Sequence, residues 1–312
     1  PVLSAPNGNQ MDQALAGLDF MVSIDFYINE TTRHADIILP PTSALEHDHY
    51  DLAFHRLAVH NTARFNEAVF EPAEGTKHDW EIFNELGLAV AARKGMDVKP
   101  LPSPDKLIDM GIQRGPYSAA AGHDLELTLD KIKQHPHGLD IGPLQPSLPE
   151  RLCTSEGKIT LMSDYISEDI ARLGADQQIT DKDELLLIGR RHIRSNNSWM
   201  HNSHRLVKGK PRWQLLMHPD DLAAHQLQDQ SQVRIQSRVG EVQTQVVASD
   251  EVMPGVVSLP HGWGHKRDGV SMEIAAEQGG VSCNDLTDDK LIDQASGNSA
   301  LNGVPVRVFA VQ

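Results

Sequence analysis

Cysteine is nearly missing from this chain. Cys153 and Cys283 are the only two in 312 residues, and they lie far apart. No Cys-x-x-Cys occurs, so the chain carries no recognisable iron–sulfur or zinc-finger motif. Two thiols in a chain this long read as reduced rather than as a disulfide framework. Positive charge is also scarce: 28 Lys and Arg stand against 43 Asp and Glu, a formal net charge of -15. General nucleic-acid binding needs a basic face, and that balance excludes it. No apolar run approaches the roughly 18 residues that a membrane span needs. No basic-then-apolar signal segment opens the sequence, so a cytoplasmic location is expected. A His-Glu-x-x-His pattern and a Gly-x-Ser-x-Gly elbow are both missing, which argues against a zinc peptidase and a serine hydrolase. The length allows two domains. A composition of 39% hydrophobic and 23% charged residues fits a globular protein.

Against that acidic background one window inverts. Between Glu184 and Asp220 there is no acidic residue, yet Arg190, Arg191, Arg194, Arg205, Lys208, Lys210 and Arg212 all fall inside it. It opens on an apolar run over 185–188, short and branched enough for a buried strand. The chain then turns at Gly189 and becomes rich in guanidinium and amide groups, with Asn196, Asn197, Ser198 and Trp199 following Arg194. Arg binds phosphate oxygens bidentately, Asn amides can read a heterocycle's edge, and Trp can stack on a flat ring. Residue types alone leave two readings open, a solvated basic loop or a site for a polyanionic heteroaromatic ligand.

Taken in order, the chain begins with a loop and a short helix over 10–18. Strands over 20–25 and 35–39 follow, the second stopped by Pro40 and Pro41. Strand, connection, strand with Asp25 at the first strand's end is half of a nucleotide-binding α/β unit. A carboxylate there either caps the next segment or accepts hydrogen bonds from a ribose or guanine edge. His47, His49, His55 and His60 form no ligand pattern and read as polar surface. Thr76 is the expected cap of a helix whose apolar positions Trp80, Phe83, Leu86 and Val90 face the core, with Gly95 at its end. A Ser-Pro start at 103–104 opens a second helix running to Gly115, and a third spans 128–135. From residue 184 strands dominate: 185–188, 213–217, 232–238, 241–248 about a turn at Val239 and Gly240, 253–259, and 304–311, with a helix over 219–227. A small barrel fits them. Two further loops stand out: Pro260-His261-Gly262-Trp263-Gly264-His265, where the glycines let a flat ligand approach the backbone, and Cys283-Asn284-Asp285-Leu286-Thr287.

Several of these segments, in this order, resemble the molybdopterin oxidoreductases, the superfamily of formate dehydrogenase, nitrate reductase and dimethyl sulfoxide reductase. The resemblance is carried by Asp25 through Thr31, by Ala35-Asp-Ile-Ile-Leu-Pro40 with Glu46, by Asp79-Trp80, by the Gly189-Arg190 loop, and by Asn284-Asp-Leu-Thr287. It implies a partial doubly wound α/β region over 1–150, a connector over 151–183, and a double-psi β-barrel domain over 184–312. It further implies that Asp25, with Asn29 beside it, lies near a guanine. Gly189, Arg190, Arg191, Arg194, Asn196, Asn197, Ser198, Trp199, His261, Gly262, Trp263 and Asn284 would line one concave cofactor surface. The implied cofactor is bis-molybdopterin guanine dinucleotide with molybdenum or tungsten. Where the family often continues into a Gly-Thr-Phe-x-Asn stretch, this chain has His47-Asp-His-Tyr-Asp51 instead.

The resemblance covers the C-terminal part of the family only. It implies a C-terminal fragment whose partner is the missing N-terminal part of the same enzyme, which would bring the metal ligand and any iron–sulfur cluster. The fragment would not catalyse alone and would carry no stoichiometric metal of its own. An incomplete α/β layer should expose apolar surface and self-associate. The rival expectation is a non-catalytic barrel module that holds a nucleotide or cofactor.

Overall fold

The computed structural model describes residues 1–175 and 183–311. The chain forms two compact units, one of residues 1–38 with 160–312 and one of residues 39–159. The first 38 residues, expected with the α/β region, therefore cluster with the barrel.

In that N-terminal segment α1 spans Gly8–Ala16, capped by Asn7 in a left-handed conformation. β1 (Val22–Ser23) and β2 (Ile37–Ile38) pair in parallel, Val22 opposite Ile37. The parallel pairing is what an α/β unit requires, but among the described residues these two strands form a sheet of their own. The expected doubly wound sheet is thus reduced here to a two-residue ladder. Long-range ion pairs hold the segment down instead. Arg33 grips Asp12 with bonds at 2.7 Å, and Arg267 reaches both Asp12 and Asp285.

The second unit holds β3 (His49–Tyr50), β4 (His60–Ala63), β5 (Phe65–Asn66) and β6 (Leu139–Pro143), paired antiparallel as β3–β5 and β4–β6. Helices α2 (Asp79–Arg93), α3 (Pro104–Ile112) and α4 (Leu129–Lys133) accompany them. Their core is Ala63, Phe65, Leu127, Leu129 and Ile132. α2 starts two residues later than expected. His78, not Thr76, is its cap, and the Glu81 side chain accepts from the His78 backbone N–H in a capping box. At its other end Gly95 is left-handed and Met96 N–H reaches Ala91 O at 2.9 Å, a Schellman close. The helix buries Ile82 and Ala91. Phe83, read from the sequence as core, is 64% exposed, and Leu86 and Val90 are exposed with it. Phe54, Leu57 and Val59 are exposed as well.

The barrel is closed and six-stranded. After α5 (Asp164–Ala175), not expected from the sequence, come β7 (Leu185–Arg190), α6 (His204–Val207), β8 (Leu215–Met217), α7 (Pro219–Ala224), β9 (Gln232–Gln236), β10 (Glu241–Ala248), β11 (Val256–Pro260), α8 (Glu273–Glu277) and β12 (Val304–Ala310). Around the barrel the order is β10, β8, β11, β7, β12, β9. The β7–β11 and β8–β10 ladders are parallel and the others antiparallel. Strand periodicity explains the interior: Leu185 and Leu187, Leu215 and Met217, Val233 and Ile235, and Val304, Val306 and Val308 alternate inward and are all buried. Each such side chain contributes roughly 1.5–3 kcal/mol of transfer free energy.

Candidate cofactor site

The parallel ladder between β7 and β11 builds the site. Leu259 lies opposite Gly189 and Pro260 opposite Arg190, so both strands run out at the same end of the barrel. Their following loops must therefore leave side by side. They touch closely: a Cβ on Gly262 would meet Asn197 O at 2.2 Å, and Gly262 has φ 86. Only glycine permits that approach and that backbone angle. His261 N–H bonds Arg190 O at 3.1 Å. Across from it Asn196 (φ 41) and Asn197 (φ 61) turn left-handed, a conformation that Asn tolerates better than most residues.

Between the loops lies a cavity of about 260 Å³ lined by Arg191, His192, Ser195, Asn196, Asn197 and His261. The lining holds a guanidinium, two amides, a hydroxyl and two imidazoles, and no carboxylate. Arg191 donates to Asn197 Oδ1. Burial lowers the pKa of His261, and Arg191 lowers it further. His192 is lowered too, by desolvation first and then by Arg212, Arg194 and Arg190. Both imidazoles are therefore neutral at pH 7 while the field around them stays positive. The third loop touches His261 through Cys283, whose Sγ lies 3.9 Å from His261 Nδ1. Burial pushes the Cys283 thiol up to about 11, so it sits there as a small apolar group.

The residues expected from the sequence divide. Arg191, Asn196, Asn197 and His261 line the cavity, and Gly262 sets the contact between its walls. Gly189 donates its N–H to Asn302 Oδ1 at 2.8 Å. Ser198 is half-buried and outside the lining, Arg194 is exposed, and Trp199 is 77% exposed. Three residues point elsewhere. The Arg190 guanidinium donates to the backbone carbonyls of Ser258, Arg212 and Gln214, so it cross-links strands. Burial lowers its pKa to about 10, which leaves it charged at pH 7. Trp263 is 2% exposed and stacks on His201 at 3.9 Å, so its ring offers no open face. Asn284 is buried, donating to Leu3 O at 2.8 Å and accepting from Thr287. Its amide thus anchors the N-terminal segment, and its neighbour Cys283 packs against His261.

Asp25 and Asn29 form a local lattice. Asp25 accepts from Tyr27 N–H and from Asn29 Nδ2, while Asn29 Oδ1 accepts from the N–H groups of Thr31 and Thr32. The histidines at 47–60 have ordinary partners: His55 bonds Thr62, His60 bonds Asp140, and His47 stacks on His78. Among the described residues no group of three or more His, Cys, Asp or Glu is placed to hold a metal ion. Two larger cavities, about 710 and 470 Å³, are lined mainly by β9, β12 and their neighbours rather than by the strand-end loops. Arg234, in the larger, is paired with Glu241.

Residue patterns missed His192 and Ser195 in the lining. They also missed a buried chain of Glu30, His265 and His201. Its histidines lie inside the two stretches already singled out, but nothing in the sequence pairs them with each other or with Glu30.

The family profile described as "Molydopterin dinucleotide binding domain" matches residues 185–305, and that described as "Molybdopterin oxidoreductase" matches residues 1–89. Among curated proteins, "Probable oxidoreductase YoaE" of Bacillus subtilis (strain 168) is 27% identical over 309 residues, 97% of this chain and 42% of that protein. The dimethyl sulfoxide/trimethylamine N-oxide reductase of Rhodobacter capsulatus is 24% identical over 294 residues, 84% of this chain and 34% of its own. The assimilatory nitrate reductase catalytic subunit of Bacillus subtilis is 38% identical over 91 residues, 29% of this chain and 12% of its own. Acetylene hydratase from Pelobacter acetylenicus superposes with a TM-score of 0.68 at 16% identity, covering 99% of this chain and 43% of that one, a likeness of fold. The chain spans less than half the length of these relatives.

Proposed function

This chain belongs to the molybdopterin oxidoreductases, and from that premise we propose that the cavity between the loops after β7 and β11 holds part of a molybdopterin guanine dinucleotide. One observation carries the reading: in a strongly acidic chain, the parallel strand ends gather Arg191, Asn196, Asn197, Ser195 and two neutral imidazoles around one cavity without a carboxylate. That donor set fits the group. A diphosphate offers only acceptors, which a guanidinium and amide N–H groups satisfy, and a pterin edge offers donors and acceptors that Asn and Ser can match. The cavity's volume suits one portion of the dinucleotide rather than the whole.

In this reading Arg191 offsets phosphate charge, Asn196 and Asn197 hydrogen-bond the ligand, and neutral His261 orients it without adding charge. The closed barrel is taken as the double-psi type. Asp25 keeps unused lone pairs, and its assignment beside a guanine is retained as part of the proposal, with Asn29 holding the carboxylate in place. When bound, the pterin-held molybdenum or tungsten supplies the redox centre, and the protein contributes binding, orientation and electrostatics. For the whole enzyme we propose an oxidation or reduction of a small substrate, formate dehydrogenation among them.

The test is pterin released per chain. Arg191→Ala should lower it several-fold, while Arg205→Ala, on the exposed face of α6, should leave it unchanged. Equal occupancy in the two variants, at equal thermal stability, contradicts the assignment.

A further inference from the structure

The chain from Glu30 to His201 is built from groups that rarely share an interior. Glu30 is 4% exposed, His265 3% and His201 0%. His265 Nδ1 lies 2.7 Å from Glu30 Oε1, and His265 Nε2 lies 2.9 Å from His201 Nδ1. The two imidazoles meet edge-on at 81°. Trp263 covers the outer face of the second, 3.9 Å from its centroid. The positions of these residues in the chain give them leverage. His201 lies in the same loop after β7 as Ser195, Asn196 and Asn197, and His265 lies in the same loop after β11 as His261 and Gly262. The Asn29–Thr32 lattice fixes Glu30 itself.

The order of protons follows from donor and acceptor capacity. An ionised carboxylate only accepts, so His265 donates from Nδ1. In a neutral His265 that donates this way Nε2 is a lone pair, and among the described residues His201 Nδ1–H is the group placed to donate to it. His201 is left with an unprotonated Nε2, an atom that is buried without a hydrogen-bond partner among the described residues. Burial, with His265 and Arg212 next, lowers the His201 pKa to about 3, in keeping with a neutral ring.

We infer that Glu30, His265 and His201 form a proton-ordered positioning relay, in which Glu30 dictates the tautomer of both histidines and so holds the two cavity walls in one register. The inference rests on the cofactor reading for its purpose, and on geometry alone for its existence. None of the three residues lines the cavity; they act through Asn197 and Gly262, where the walls meet.

Ring-nitrogen NMR of the purified chain, with histidine labelled in both ring nitrogens, reads the relay directly. Wild-type His265 and His201 should both carry the proton on Nδ1, by about tenfold or more over the other tautomer, because each bond is in series with a charged acceptor. In Glu30→Ala that acceptor is gone, and both rings should move together toward Nε2–H. Glu30→Gln keeps an acceptor oxygen and should keep the wild-type tautomers, so the relay stays testable if the alanine variant fails to fold. A wild-type His201 protonated on Nε2, or a change confined to His265, overturns the relay. Released pterin separates the two claims. Loss in Glu30→Ala with retention in Glu30→Gln supports the positioning role. Wild-type pterin in Glu30→Ala alone contradicts that role, whereas wild-type pterin in both Glu30→Ala and Arg191→Ala contradicts the cofactor reading.

Discussion

Two adjacent arginines with the same side chain have different work. Arg190 ends β7 with its guanidinium turned back onto three backbone carbonyls, while Arg191 begins the loop and opens onto the cavity. Truncating the first orphans buried acceptors, so Arg190→Ala should destabilise the barrel by about 2–4 kcal/mol in urea unfolding. Arg191→Ala should cost less than about 1 kcal/mol, as exposed charges generally do. Equal stability losses would refute the division. Acid provides a second check at this scale. His201 stays neutral in the folded chain down to about pH 3, but in the unfolded chain it takes up a proton near its ordinary value of 6.5. The unfolded state therefore binds more protons between those limits, and stability falls as pH drops through that window. Asp12 adds to the loss below the carboxylate range. Burial raises its pKa, but hydrogen bonds from His34 and Arg33 and the charges of Arg33 and Arg267 pull it lower overall. The urea midpoint should thus decline already between pH 6.5 and 5, and less so in His201→Gln. An unchanged midpoint over that interval would contradict the buried neutral imidazole.

Elements were legible where periodicity was strong. Alternating apolar residues and the Val239-Gly240 turn placed β9 and β10 to within two residues, and the run over 185–188 announced β7. Loop contents were less legible, because what a side chain in a loop touches depends on which strands are neighbours. Asn284 and Trp263 have the residue types of ligand contacts, yet the fold spends them on Leu3 and on His201. Phe83, Leu86 and Val90 have helical spacing, but the buried face of α2 is the one carrying Ile82 and Ala91. Periodicity says that a face is apolar, and only the packing partner decides whether it is covered. The parallel β7–β11 register is the element that turns two separate motifs into one site. Its most sensitive point is Gly262. Gly262→Ala adds a Cβ where Asn197 O already stands, at a positive φ, and should lower the melting midpoint with a loss of roughly 2 kcal/mol or more. Released pterin should fall with it, since the walls are forced apart. Wild-type stability in that variant would mean that the loops do not meet as described.

At the scale of the whole molecule the charge balance becomes informative. A chain of net charge -15 repels polyanions in general, so a dinucleotide must be admitted through a local positive window. That window is the acid-free span from 185 to 219, of which the stretch 191–197 lines the cavity at the barrel end where β7 and β11 stop. The larger cavities along β9 and β12 offer more volume, but carboxylates line them, Asp183 in one and Glu184 and Asp288 in the other, and Arg234 and Arg238 are paired with acids. The two locations are separable by amide hydrogen exchange on protein purified with its cofactor and on the same protein after the cofactor is stripped, since bound ligand suppresses local opening. The account predicts slower exchange in the loaded protein at residues 191–201 and 261–264, with β9 and β12 unchanged. Protection centred on β9 and β12, with those two loops exchanging equally in both samples, would contradict it.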